Sequence, residues 1–246
     1  ITGGAGNDTL TGSTAAINRD TIDGGAGADI ITGGTGADII TGGEGADVIT
    51  GGLGADVITL TETTAASDLL VIDGGLTADT VTGFNFGATA SDEIRVNITT
   101  IEGAGALING GNAQNITNLA GGTDTTAAQA TLQEVADQAG GAAVAAANAS
   151  AVYVLLTETY ASLADLEIGL ETGDHELTVH DDVAVLDVFF VLYSDGTDSH
   201  LTAITVAVDG GTDFATGNLT ATNLATLNGT GILSAGEVTV DNFEYI

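Results

Sequence analysis

Four nine-residue blocks run head to tail over residues 24–59: GGAGADIIT, GGTGADIIT, GGEGADVIT and GGLGADVIT. An earlier copy, GGAGNDTLT, occupies residues 3–11. Each fits G-G-x-G-x-D-x-U-x with U apolar, and this fixed phase constrains the fold more than any other feature of the chain. A block supplies one turn and one short strand, and neither is stable without neighbours. Stacked blocks bury a continuous core as a parallel roll, with strands alternating between two facing sheets and two blocks per coil. The glycines allow the positive φ that a turn aiming its carbonyls at an ion demands. Carbonyl and carboxylate oxygens are the ligands of Ca²⁺, which takes six to eight of them.

Strand alternation sends U inward, which predicts a ladder of Leu10, Ile31, Ile40, Ile49 and Ile58. Ile22 continues it after a three-residue insertion, Ile72 after a five-residue one, and Val81 nine residues later. Eight rungs, about four coils, result. The predicted metal ligands are the carboxylates of Asp8, Asp20, Asp29, Asp38, Asp47, Asp56 and Asp79. Carbonyls of Gly25, Gly27, Gly34, Gly36, Gly43, Gly45, Gly52 and Gly54 complete the set. Ligands should come from turns on one edge, eighteen residues apart, so Asp29 goes with turn 42–47 and Asp38 with turn 51–56. Asp20 pairs with Asp38, and Asp8 joins the Asp29 edge. A flexible linker would not hold Asp and Ile in phase over tandem copies. A dinucleotide-binding reading of GxGxxG fails because no helix pattern follows any copy.

Charge agrees with a cation requirement. The chain has 34 acidic residues against two basic ones, Arg19 and Arg95, for a formal charge of −32. Self-repulsion of that size opposes compaction unless divalent ions offset it, and several Ca²⁺ ions are expected. No basic stripe exists to bind nucleic acid. No apolar run is long enough to insert in a membrane. Cysteine is absent, which removes disulfides and thiolate metal sites. The chain starts inside a repeat without a basic leader, which suggests a fragment or processed product.

Outside the repeats the reading is coarser. Residues 81–98 read as a closing strand pair, with Phe84, Phe86, Ile94 and Val96 covering the open end of the roll. Residues 99–122 read as a linker or extension. Asp124 can cap a helix over 125–139, with Leu132, Val135 and Ala139 on one face. From Ala151 onward, strand-like runs such as VYVLL, HELTV, VLDVFFVLYS, HLTAITVAV and EVTVDNFEYI are separated by turn signals. The predicted fold is mainly β: a calcium-binding parallel β-roll with closing strands over 1–98, then a mixed, mostly β domain over 123–246 with one or two helices.

No catalytic constellation emerges, and the chain is not expected to be an enzyme. His175, His180 and His200 lie near Asp174, Asp181 and Asp198, but nothing ties them to a nucleophile or to zinc spacing. HELTVH has its second histidine at the wrong offset for HExxH. SDGTD and VDGGTD serve equally as extra calcium loops or as ordinary acidic turns. The outward positions are unusual: Ile30, Ile39, Val48 and Val57 form apolar stripes beside a ladder of Thr32, Thr41, Thr50 and Thr59. Exposed stripes of this kind mark a contact, with the rest of the chain or with another molecule.

The blocks GGAGND and GGxGAD resemble the RTX (repeats-in-toxin) family in its calcium-binding nonapeptide form, over about residues 1–82. The resemblance implies a secreted, extracellular bacterial protein that leaves by the type I pathway and folds on calcium outside the cell. It also implies an uncleaved C-terminal export signal, to which DNFEYI at the end of the chain is similar. The family spans enzymes, toxins, adhesins and surface-layer proteins, so resemblance does not fix activity. The expected role is a structural subunit of an S-layer, matrix filament or adhesin that self-associates into a lattice or filament. Calcium-bridged contact with cell-surface polysaccharide is a further expectation. The alternative is the C-terminal folding and export region of a larger secreted enzyme or toxin.

Overall fold

A computed structural model describes residues 1–15, 18–73, 77–87, 89–97, 132–135, 144–145, 152–172, 177–178, 188–206, 217–234, 238 and 242–245. Ten short strands build the roll: β1 (Thr2–Ala5), β2 (Thr9–Thr11), β3 (Thr21–Ala26), β4 (Ile30–Thr35), β5 (Ile39–Glu44), β6 (Val48–Leu53), β7 (Val57–Thr59), β8 (Leu69–Ile72), β9 (Asp79–Thr82) and β10 (Glu93–Val96). Odd-numbered strands pair in parallel in one sheet and even-numbered strands in the other. Between the sheets lie Ile22, Ile31, Ile40, Ile49 and Ile58, each at most 1% exposed. Burying one such side chain contributes about 1.5–3 kcal/mol, so the ladder is a large part of the roll's stability. Leu10, on the first coil, is only partly buried.

The inserted rungs correct the expected register. Leu70, not Ile72, pairs with Ile49 as the inward residue, and it is fully buried. Both insertions therefore have one length: twelve residues separate Leu10 from Ile22 and Ile58 from Leu70. Ile72 is buried too, but at the level where other rungs carry the first glycine. Strands β9 and β10 are not a closing pair. They lie in opposite sheets as further rungs, with Val81 beside Ile58 and Ile94 beside Leu70. Phe84, Phe86, Ile94 and Val96 all join the core, but not as an end cover, because β9 and β10 each have a further strand beyond them.

Both sheets then continue into later parts of the chain. The remaining strands are β11 (Leu132–Val135), β12 (Val144–Ala145), β13 (Val152–Thr159), β14 (Leu177–Thr178), β15 (Val188–Ser194), β16 (Ser199–Val206), β17 (Leu219–Asn228) and β18 (Phe243–Tyr245). Strand β17 lies parallel to β9, and β16, β15, β13 and β11 extend that sheet to ten strands. On the other sheet β18 lies parallel to β10. Phe243 is buried beside Ile94, and Asn242 Nδ2 donates to Ser91 Oγ (2.6 Å) and to the Asp92 carbonyl (2.7 Å). Phe243–Tyr245 of the segment likened to an export signal thus form a strand paired with the roll's β10.

Of the helix expected over 125–139, the described part, Leu132–Val135, is strand; the rest lies outside the described residues, as do 99–122. Among the described residues the helix is α1 (Leu163–Thr172), which strand periodicity hid. Its start is written in SLAD: the Asp165 N–H donates to Ser162 Oγ, and the Ser162 hydroxyl to the Asp165 carboxylate. One face of α1 covers a sheet edge that β9 is too short to reach. There Glu171 accepts the N–H groups of Gly217 and Leu219, and Glu167 that of Ala221. Carboxylates thus satisfy backbone donors that would otherwise invite another strand.

Candidate metal centre

Every turn of the roll carries one aspartate, and these line up along two edges. On one, the N–H of Asp8 donates to Asp29 Oδ1, Asp29 to Asp47, Asp47 to Asp68 and Asp68 to Asp92, all at 2.7–2.9 Å. On the other, Asp20 donates to Asp38, Asp38 to Asp56 and Asp56 to Asp79, at 2.7–3.0 Å. The aspartates expected to share an edge lie next to each other along it, at 18-residue spacing for Asp29–Asp47, Asp38–Asp56 and Asp20–Asp38 and at 21 for Asp8–Asp29. Asp68 and Asp92 complete the first edge and were missed in the sequence. The signal was there as D-x-U (Asp68-Leu69-Leu70 and Asp92-Glu93-Ile94), stripped of its glycines and displaced by the register error at Ile72.

The glycine frame shapes the carboxylate's surroundings. In block 24–29, Gly25 and Gly27 have φ of 105° and 127°, and a side chain on either would overlap backbone of the preceding coil. At Gly24 a Cβ would likewise overlap backbone, the Gly42 carbonyl of the next coil, and would also sit 2.5 Å from Asp29 Oδ2. The second oxygen therefore points back into its own turn. The other predicted glycines, Gly34, Gly36, Gly43, Gly45, Gly52 and Gly54, share this positive φ.

From the second aspartate of each edge onward Oδ1 accepts a ladder N–H, and Oδ2 divides the aspartates. The Oδ2 atoms of Asp8, Asp29, Asp38, Asp47 and Asp56 are buried without a hydrogen-bond partner. A buried carboxylate oxygen in that state is costly unless a cation or proton occupies its free side. Asp20 and Asp92 differ. Asp20 Oδ2 accepts the Ser13 N–H at 2.6 Å, and Asp92 Oδ2 accepts the Asn85 N–H at 2.8 Å. Both donors lie seven residues upstream, in turns with no glycine frame.

Electrostatics follow the same geometry. Desolvation, reinforced by neighbouring ladder carboxylates, raises Asp47 to about 6 and Asp79 to about 7. Burial does the same for Asp68 (about 7) and Asp92 (about 6), and it also raises Asp56. Glu62 contributes to this field at Asp47, Asp68 and Asp92. Its Oε1 also accepts the Gly45 N–H at 2.7 Å, whereas Gly27 and Gly36 donate to the backbone carbonyls of Glu44 and Leu53. A side-chain carboxylate thus replaces a carbonyl that the inserted loop displaces.

Calcium fits this arrangement. The orphaned oxygens are hard, anionic and confined to turns rich in carbonyls. Among the described residues no three His, Cys, Asp or Glu side chains converge as a metal cluster, so backbone oxygens would supply most of each ion's shell. Asp8, Asp29, Asp38, Asp47 and Asp56 are the carboxylates that could hold an ion through a free oxygen.

A family model for the RTX calcium-binding nonapeptide repeat, in four copies, matches residues 1–15, 18–40 and 23–58. Residues 1–58 are RTX calcium-binding nonapeptide repeats. RTX repeats bind calcium, and proteins that carry them are typically secreted. No curated protein matches the chain. The roll continues past the matched RTX segment through β8, β9 and β10, where geometry persists after the motif has dissolved.

The remaining sequence candidates separate cleanly. His175, His180 and VDGGTD lie outside the described residues. SDGTD closes as an ordinary turn: Asp195 Oδ1 accepts the N–H groups of Thr197 and Asp198, and Asp198 Oδ1 that of Gly229. Among the described residues no helix is long and apolar enough to cross a membrane.

Proposed function

We propose that the chain is an extracellular, non-enzymatic structural module that folds on calcium and self-associates into a lattice or filament. The observation that carries the calcium half is the row of buried carboxylate oxygens without partners on Asp29, Asp38, Asp47 and Asp56. Without a cation, like charges stack on each edge in a desolvated setting; with one, each Ca²⁺ offsets two charges and ties adjacent turns together. A millimolar-calcium exterior would supply the ion only after export, which keeps the chain unfolded in transit.

Assembly draws support from the outer faces. On the roll, Ile30 is 51% exposed, Val57 40% and Leu53 53%, whereas Ile39 and Val48 of the same expected stripes are half-buried. Apolar, uncharged patches are where two chains of charge −32 can approach with least repulsion. Calcium titration followed by circular dichroism and light scattering tests both halves. Folding and particle growth are expected to rise with calcium and reverse with chelator. Folding without any change in scattering would sink the assembly reading and leave the calcium one intact.

A further inference from the structure

Beside the roll, on β15–β17, a second cluster joins a hydroxyl, an imidazole, a carboxylate and an amide. His200 Nδ1 lies 3.2 Å from Thr226 Oγ1, and His200 Nε2 lies 3.2 Å from Asp195 Oδ2. Asn223 Nδ2 donates to the same Thr226 Oγ1 at 2.9 Å. The imidazole is held flat against the Tyr193 ring, at 4.9 Å between centroids and 25° between planes. Hydroxyl, base and orienting carboxylate in hydrogen-bond succession is the arrangement of an activated nucleophile.

Local backbone explains how the amide joins. Residues three apart on a regular strand point to opposite faces. A register shift places Ala225 opposite Leu201 and Asn223 opposite Thr202, leaving Leu224 as the extra residue of a bulge. Leu224 and Ala225 are both buried, and Asn223 returns to the face of Thr226. Asn223 Oδ1 is buried without a hydrogen-bond partner, and so is the hydroxyl of its cross-strand partner Thr202.

We propose that Thr226 is the nucleophile of an autocatalytic intramolecular ester with the Asn223 side chain. His200 Nδ1 takes the hydroxyl proton as Oγ1 bonds to Cγ of Asn223, and negative charge passes to Oδ1. Thr202, the cross-strand partner of Asn223, carries an unpartnered hydroxyl that would turn to donate to that oxygen as the charge develops. The intermediate collapses by breaking Cγ–Nδ2. His200 returns the proton to the nitrogen, which leaves as ammonia. Hydroxyl plus amide gives ester plus ammonia, with no oxidant or co-reactant. Asp195 is a positioning residue that keeps the Nε2 proton on the far side of the ring. The event is a single self-modification, compatible with a module that turns over no substrate, and it would fix the bulge covalently.

Intact-mass spectrometry of the calcium-folded full chain at neutral pH tests this. The expected result is a mass lower by about 17 Da, the ammonia lost on acyl transfer. Cleavage at acidic residues should place the loss on a peptide holding 223–226 and suppress fragmentation between these residues. Thr226→Ser should keep the loss; Thr226→Val, His200→Ala and Asn223→Ala should abolish it, each with an unchanged circular dichroism spectrum. Asp195→Asn should slow its appearance and alter the pH profile of the rate. An unchanged mass in the parent chain after prolonged incubation overturns the proposal. So does a loss that survives in Thr226→Val, which would mark a backbone succinimide instead.

Discussion

The glycine-framed turns and the inserted turns carry the same aspartate at the same ladder position yet solve its burial differently. In framed turns such as 24–29 and 42–47, positive-φ glycines keep the turn tight and leave Oδ2 bare. In the inserted turns ending at Asp20 and Asp92, extra chain folds back so that Ser13 or Asn85 donates an N–H to that oxygen. One class leaves the oxygen free to meet a cation, and the other satisfies it with a peptide N–H. On the function proposed above, stacking of coils would not need calcium at every level, and the need would belong to turns with too little backbone to satisfy their own carboxylate.

The largest effects should come from the framed class. Gly43 has φ of 111°, and a Cβ there would overlap Gly25 backbone. Gly43→Ala should cost on the order of 3 kcal/mol or more from strain and displaced chain. Circular dichroism in saturating calcium is expected to show loss of the cooperative transition. Next, Asp38→Asn with Asp47→Asn should raise the calcium midpoint for β-structure by roughly tenfold or more, since each removes an anionic oxygen from a site. Asp20→Asn is the matched control. It weakens one charge-assisted bond, for about 1 kcal/mol of stability, and should move the calcium midpoint less than about twofold if the comparison is right. Equal shifts for the two classes would break the distinction.

Proton competition gives a smaller and signed effect. Asp47, Asp68, Asp79 and Asp92 lie between about 6 and 7 in the ion-free roll, above their ordinary 3.8. Below pH 3.8 both folded and unfolded chains are protonated and the shift contributes nothing. From there to about 7 the ion-free roll binds more protons than the unfolded chain, so its stability falls as pH rises. Calcium bound through the free oxygen of Asp47 would have to displace its proton, against a field that Asp68 and Asp92 share. Its midpoint should fall as pH rises from 5.5 to 7.5 and level off above that, with proton release on binding in unbuffered titration. A flat midpoint across this range would mean that the ions do not engage Asp47, the one of these four whose Oδ2 is free.

Legibility in the sequence followed the strength of local constraint. The roll from Leu10 to Ile58 could be read because each block is dictated twice, by the glycines that its turn needs and by the isoleucine that its core needs. Beyond Ile58 only one constraint survives. Leu69, Leu70, Val71 and Ile72 are all apolar, so alternation alone could not say which pointed inward, and choosing Ile72 hid Asp68. Asp68 would have settled it, because the ladder fixes the apolar residue two places after the carboxylate. The long-range pairings of β17 with β9 and β18 with β10 leave no local signature. They join residues over a hundred positions apart and are set by which sheet edge is open.

Glu62 tests where the two classes meet. Its carboxylate stands in for a backbone carbonyl at Gly45 N–H, and its second oxygen accepts the Ala66 N–H. The same charge also raises Asp47, Asp68 and Asp92. These two roles have opposite signs, since the hydrogen bonds hold the inserted loop on the roll while the charge opposes ionisation of the ladder beneath it. Glu62→Gln keeps an oxygen for Gly45 and removes the charge. The ion-free roll should then be slightly more stable at pH 7.5. The calcium midpoint should rise by no more than about twofold, as expected for one partly screened charge. Glu62→Ala removes both roles and should cost about 1 kcal/mol through the lost Gly45 and Ala66 bonds. Opposite shifts in ion-free stability for the two variants would show that the inserted loop is held by hydrogen bonds and only secondarily by the ions. If both variants raise the calcium midpoint tenfold, Glu62 is itself a ligand, and the inserted turn belongs with the framed ones.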